Sequence, residues 1–232
     1  MHPLIEVCVE GIAGAKIAIE AGADRLELNS ALALDGLMPA LADLVAAKRA
    51  SAIPIIAMLR PHANSFVYDC ETQLSMLRDL EQLLEFGAAG VAVGGLTQAG
   101  EIDLALMSEL RKNSASRVLV MHRAFDQLGD QALGLEQLID LGIDRVLTSG
   151  GAATAEAGVE QLRRLVMQSH GRIEVLPGAG IRPDNAMRIL RATGCDQLHG
   201  TFKQELPGRF LPDAQAIKAL KQLRIGSDSA EK

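Results

Sequence analysis

"EAGADRLEL" (residues 20–28) recurs in outline as "EFGAAGVAV" (85–93), "DLGIDRVLT" (140–148) and "ATGCDQLHG" (192–200). Each copy places a glycine, at position 22, 87, 142 or 194, between a helix-like segment and a strand-like one. Glycine suits the left-handed backbone that closes a helix, and the residues after it turn directly into a strand. Four copies of helix, glycine and strand make a repeating α/β unit.

Four more apolar strand candidates lie between the copies: "LIEVCV" (4–9), "IPIIAML" (53–59), "RVLVMH" (117–122) and "RIEVLP" (172–177). Helical stretches separate them, as at 71–86, where Leu74, Leu77, Leu80, Leu83 and Leu84 keep helical spacing. Pro39, Pro183 and Pro212 sit where they could open helices. Eight β/α units in 232 residues, with no linker rich in Gly, Ser or Pro, predict an α/β fold: a closed (β/α)8 TIM barrel forming a single domain over 1–232. Strands and helices run to about 202, and 203–232 supplies a final helix and tail. A doubly wound open sheet needs a glycine fingerprint after its first strand, and "CVEGIAGA" (8–15) is a poor one.

The chain is 48% hydrophobic and 22% charged, enough for a large core, and its formal net charge is -6. No basic cluster gathers on any element, which argues against nucleic acid as a partner. Glu6 and Glu10 interrupt the region where a signal peptide needs an apolar core, and no apolar run reaches membrane-spanning length, so the expectation is a cytoplasmic protein with no membrane partner. Cys8, Cys70 and Cys195 are odd in number and far apart, as free thiols of a reducing compartment are.

Alternation along a barrel strand sends one set of side chains to the helices and the other to the axis. Ile5, Val7 and Val9 belong to the outer set and Glu6 and Cys8 to the inner. Leu26 and Leu28 face outward, whereas Arg25, Glu27 and Asn29 face inward; Met58 and Arg60 share one parity, as do Gln197 and His199. Glu27, Asn29, Arg60, His122, Arg123, Asp126, Thr148, Ser149 and His199 then approach the C-terminal rim, where barrel active sites are built, with Glu6 deeper. They are read either as a ligand site or as an internal charge network. "LPGAGIRPDNAMRIL" (176–190) adds a glycine-rich loop with Gly178, Gly180 and Arg182 before a helix, an arrangement that can offer N–H groups to an anion.

"IEVCVEG" (5–11), "GADRLELN" (22–29), "LRP" (59–61), "HRAFD" (122–126), "VLTSGG" (146–151) and "PGAGIRPDN" (177–185) occur in the order and spacing of the CutC family, long named copper homeostasis proteins. The resemblance runs from about residue 4 to residue 200 and implies a TIM barrel, a cytoplasmic location and an association with copper. It marks Glu6, Cys8, Glu27, Arg60, His122, Arg123, Asp126 and Gly178 to Gly180 as shared pocket positions. Two features depart from it. Asn29 stands where many members have cysteine, and "KQELPGRFLPDAQ" (203–215) contains no methionine.

Cu(I) prefers several sulfur ligands at close spacing, and the chain has no CxxC, MxxM or His-rich tract. The best copper ligands on inward positions are Cys8 and Met58, joined by His122 or His199. The competing partner is a small anionic, phosphorylated or carboxylated, metabolite held by Arg60, Arg123 and Arg182. Glu6, Glu27, His122 and Asp126 are the candidates for proton transfer, with His122 expected to switch near neutral pH. Imine chemistry is improbable, because none of Lys16, Lys48, Lys112, Lys203, Lys218, Lys221 and Lys232 falls on a barrel strand. A third reading is a non-catalytic interaction protein. Ala- and Leu-rich helices such as "MPALADLVAAKRASA" (38–52) can pair across a dimer as readily as cover a barrel, and a homodimer is expected.

Overall fold

A computed structural model describes residues 2–204 and 210–225. Strands β1 (Leu4–Glu10), β2 (Arg25–Asn29), β3 (Ile55–Met58), β4 (Gly90–Val93), β5 (Val118–Met121), β6 (Arg145–Thr148), β7 (Glu174–Pro177) and β8 (Gln197–Gly200) alternate with helices. The helices are α1 (Gly11–Glu20), α2 (Leu41–Ala50), α3 (Cys70–Glu85), α4 (Leu104–Asn113), α5 (Gln131–Asp140), α6 (Val159–Ser169), α7 (Ala186–Thr193) and α8 (Ala214–Lys221). All seven strand ladders are parallel, in the order β7-β6-β5-β4-β3-β2-β1-β8, and β7 packs beside β8, so the sheet is a nearly closed (β/α)8 barrel.

The four repeat glycines behave as their position demands. Gly22, Gly87, Gly142 and Gly194 have φ of 93°, 99°, 70° and 78° at helix ends, a region that penalises a Cβ. The prolines differ from expectation. Pro39 and Pro212 precede the N-cap residues Ala40 and Asp213, and Pro183 lies three positions before α7. They direct the chain into its helices from outside the first turn. The predicted strand at 53–59 begins only at Ile55; Ile53 and Pro54 stay outside it, with the Pro54 carbonyl accepting from Leu26 N at 3.0 Å.

Ile5, Val7, Val9, Leu26, Leu28, Ile55, Val91, Leu119 and Val146 leave the sheet outward and pack with helix residues such as Leu80, Leu83, Met107 and Leu138. This layer is the main core. The barrel interior is divided by sector. Strands β3 to β7 fill it with Ile56, Met58, Ala92, Val120, Leu147 and Leu176, an apolar wedge. Strands β8, β1 and β2 fill the other side with buried Gln197, His199, Glu6, Cys8, Arg25, Glu27 and Asn29. Polar groups taken from water must find partners or a ligand, so this sector positions the candidate site.

Candidate functional site

The lowest polar layer pairs largely with itself, although the buried Arg145 Nη1 has no partner among the described residues. Arg25 Nε donates to Glu6 Oε2, Arg25 Nη2 donates to Gln197 Oε1 at 2.9 Å, and Gln197 Nε2 reaches Glu174 Oε2 at 3.3 Å beside Arg145. The other Glu6 oxygen lies 2.7 Å from His199 Nδ1. Burial alone raises a carboxyl pKa, but the His199 hydrogen bond and the charges of Arg25, His199 and Arg145 overcome it and hold Glu6 at about 2. Burial also opposes a charge on His199. The Glu27 charge and the Glu6 hydrogen bond and charge outweigh that burial and the repulsion of Arg25, so the imidazole pKa is raised.

One layer higher, register brings three strands together. Glu6 aligns with His199 across β1 and β8, and Cys8 aligns with Glu27 across β1 and β2. The Cys8 thiol, a Glu27 oxygen and a His199 ring nitrogen all lie within 4.8 Å of one another, and all three residues are buried. Asn29 Nδ2 donates to Cys8 Sγ at 3.3 Å and to Glu27 Oε1 at 3.1 Å, while Glu27 Oε2 is buried without a hydrogen-bond partner. Burial, then the Glu27 charge and hydrogen bond, push the Cys8 thiol well up.

Above this floor opens a cavity of about 920 Å³, lined by Cys8, Glu27, Met58 and His199 below and by loop residues including Arg60, Phe66, His122, Arg123, Asp126, Gly180 and Arg182. Arg60 is 7% exposed, and no carboxylate among the described residues pairs with it. Its Nη groups donate to the carbonyls of Leu34 (3.0 Å), Gly36 (3.2 Å) and Ala63 (3.2 Å), its plane lies over the Phe66 ring at 4.9 Å, and Nε has no partner. Carbonyls satisfy its N–H groups without neutralising its charge.

His122, at the end of β5, packs against Phe66 with ring centroids 4.9 Å apart and the rings tilted by 51°. Its Nδ1 accepts from Ala124 N at 3.2 Å, which leaves the neutral ring's proton on Nε2, buried and without a partner. Burial and the Arg60 charge push its pKa down to about 3, so His122 does not switch near neutrality as its residue type suggests. A methyl group at Gly94 would lie 2.7 Å from this ring; glycine there makes room for it.

Asp126 lines the cavity with its oxygens engaged. They accept from Thr148 Oγ1, from Ser149 N and Oγ, from Gly151 N and from Arg123 Nε. Arg123 also reaches Ser149 Oγ at 3.2 Å and is partly exposed. Gly180 and Arg182 border the cavity, but Gly178 is beneath it, where a Cβ would meet Leu147 at 2.7 Å. At the far end of the loop, Arg182 N donates to Asn185 Oδ1, and Asn185 N and Ala186 N donate to the Arg182 carbonyl. Arg182 itself pairs with Asp184 in solvent. Sequence reasoning missed Phe66, the ring that sits against both Arg60 and His122; as an aromatic in a loop with no periodicity, it gave no pattern signal.

The CutC family model matches residues 3–204. The chain belongs to the CutC family. The family protein CutC of Caulobacter vibrioides is 38% identical over 240 residues, covering 95% of this chain and 98% of that protein. The family protein CutC of Treponema denticola is 42% identical over 195 residues, 84% of this chain and 79% of its own length. A crystal structure from Streptococcus agalactiae that carries the name copper homeostasis protein CutC superposes with a TM-score of 0.82 at 29% identity, covering 86% of this chain and 98% of that one. In this CutC chain, no helix among the described residues is long and apolar enough to cross a membrane.

Proposed function

We propose that this CutC protein binds and acts on a small molecule bearing an anionic, phosphate or carboxylate, group. The observation that carries this reading is Arg60: a buried guanidinium without a carboxylate counter-ion among the described residues, on the wall of a cavity of about 920 Å³. Burying an uncompensated charge is costly, and an anionic ligand is the natural compensation. The volume lies in the range of small-molecule sites, roughly 300–1,000 Å³, and far exceeds what a lone ion needs. His122 adds a neutral Nε2–H, a donor suited to a carbonyl or developing oxyanion. Glu6 and Asp126 spend their oxygens on neighbours, so Glu27, with one oxygen unpartnered among the described residues, is the buried carboxylate left facing the ligand, while Asp35 lines the cavity from an exposed position.

A Cu(I) cargo site is the second reading, favoured by the name of the Streptococcus relative and by two sulfurs, Cys8 and Met58, on the cavity floor. The donor set argues against it. The partners of Cys8 are the harder Glu27 and His199, and Met58 packs in the apolar wedge.

Thermal-shift screening of chelator-treated protein against phosphorylated and carboxylated metabolites tests the first reading. Saturable stabilisation is expected, with affinity reduced about 10- to 100-fold in Arg60→Gln, as loss of a charge-assisted hydrogen bond implies. A screen without a hit on folded protein, or equal affinity in Arg60→Gln, contradicts it.

A further inference from the structure

We propose that Cys8, Glu27 and His199 form a mononuclear site for a borderline divalent cation of the zinc type, open toward the cavity. The three ligand atoms lie within 4.8 Å of one another on strands β1, β2 and β8. Tetrahedral bonds of roughly 2.0–2.3 Å set ligand atoms about 3.5 Å apart, so the side chains need draw in by only about an ångström. An independent observation points to the same place. Glu27 is 2% exposed, and its Oε2 has no hydrogen-bond partner among the described residues, an arrangement that a cation would satisfy.

The surroundings are those of a metal site. His199 Nδ1 is held by the Glu6 carboxylate at 2.7 Å, which leaves Nε2, 4.0 Å from Glu27 Oε1, as the coordinating nitrogen. Asn29 Nδ2 bridges Cys8 Sγ and Glu27 Oε1, orienting both. Coordination sends the Cys8 thiol proton to solvent. The thiolate and the carboxylate then neutralise a dication, whereas Cu(I) would leave a buried negative charge. With three protein ligands, the fourth position faces the cavity, where an oxygen of a bound molecule could enter. The proposal uses no atom of Arg60 or His122 and shares only Glu27 with the anion reading, so anion binding at Arg60 is tested apart from it.

The test uses chelator-stripped, folded protein in buffer without phosphate or carboxylate, with Zn²⁺, Co²⁺ and Cu(I) as probes. We expect one Zn²⁺ per chain and, with Co²⁺, a thiolate-to-metal charge-transfer band in the near ultraviolet. Cys8→Ser should abolish the band, and Glu27→Gln should weaken Zn²⁺ binding by at least about tenfold. Both variants should keep the wild-type circular dichroism; if Cys8→Ser fails to fold, Glu27→Gln carries the test. Failure of folded wild type to take up Zn²⁺, uptake unchanged in the folded variants, or Cu(I) capture that requires Met58 without Zn²⁺ uptake would overturn the proposal. Anion binding to the stripped protein is measured apart, so either result can fail alone.

Discussion

His122 titrates as an ordinary imidazole, near 6.5, in the unfolded chain and at about 3 in the folded one, pushed down by burial and by Arg60. A depressed histidine pKa means that the unfolded state takes up a proton the native state refuses, so this contribution is complete above 6.5 and is lost as pH falls toward 3. Between pH 6.5 and about 4.5 the loss amounts to roughly 2 kcal/mol. Glu6, lowered from 4.5 to about 2, adds its own loss only below that window. Urea denaturation across the window should show the slope in wild type and a flattened one in His122→Gln; equal slopes would refute the burial argument. His199 has the opposite sign: its raised pKa gives stability that is lost as pH rises through it. Sequence showed that His122 ends a strand, but not that Phe66 and Gly94 enclose its ring. Those contacts come from other loops and carry no periodic pattern.

At the scale of elements, Asp126 ties the segment after β5 to the end of β6. Its acceptors hold Thr148, Ser149 and Gly151, which shape the loop bordering the cavity. Asp126→Ala leaves the buried Thr148 Oγ1 and Ser149 N donors unpartnered and should cost on the order of 3 kcal/mol in chemical denaturation, with Asp126→Asn intermediate. A change below about half a kcal/mol in Asp126→Ala would show that water replaces the carboxylate. "HRAFD" and "VLTSGG" were each visible in the sequence, and the glycine repeat located the β/α units within a residue or two. Their mutual hydrogen bonds were not, because the partners are 22 to 25 residues apart and meet only through parallel pairing of β5 with β6.

Across the whole molecule, the polar sector joins the first strand to the last. Arg25, Glu6, His199 and Gln197 link β2, β1 and β8 inside the barrel. Arg25→Met should cost about 3–5 kcal/mol, since it leaves Glu6 short of a counter-charge, and adding Glu6→Leu should recover part of that loss. Additive losses in the double variant would show that the two residues are not coupled. Strand alternation in the sequence assigned the inward faces of β1, β2 and β8 correctly. The sequence put Cys8, Glu27 and His199 on inward positions and joined His199 to Cys8, but that Glu27 rather than Met58 completes the group depends on the register of β1 against β2 and β8, which periodicity does not set. The central claim, an anion held at Arg60, is met most directly by a crystal structure of the protein soaked with a phosphorylated or carboxylated metabolite found in the thermal screen. The account predicts density for the anionic group within hydrogen-bond distance of Arg60 Nε and His122 Nε2; an anion found only on surface arginines such as Arg163 or Arg172, with the cavity holding water alone, would contradict it.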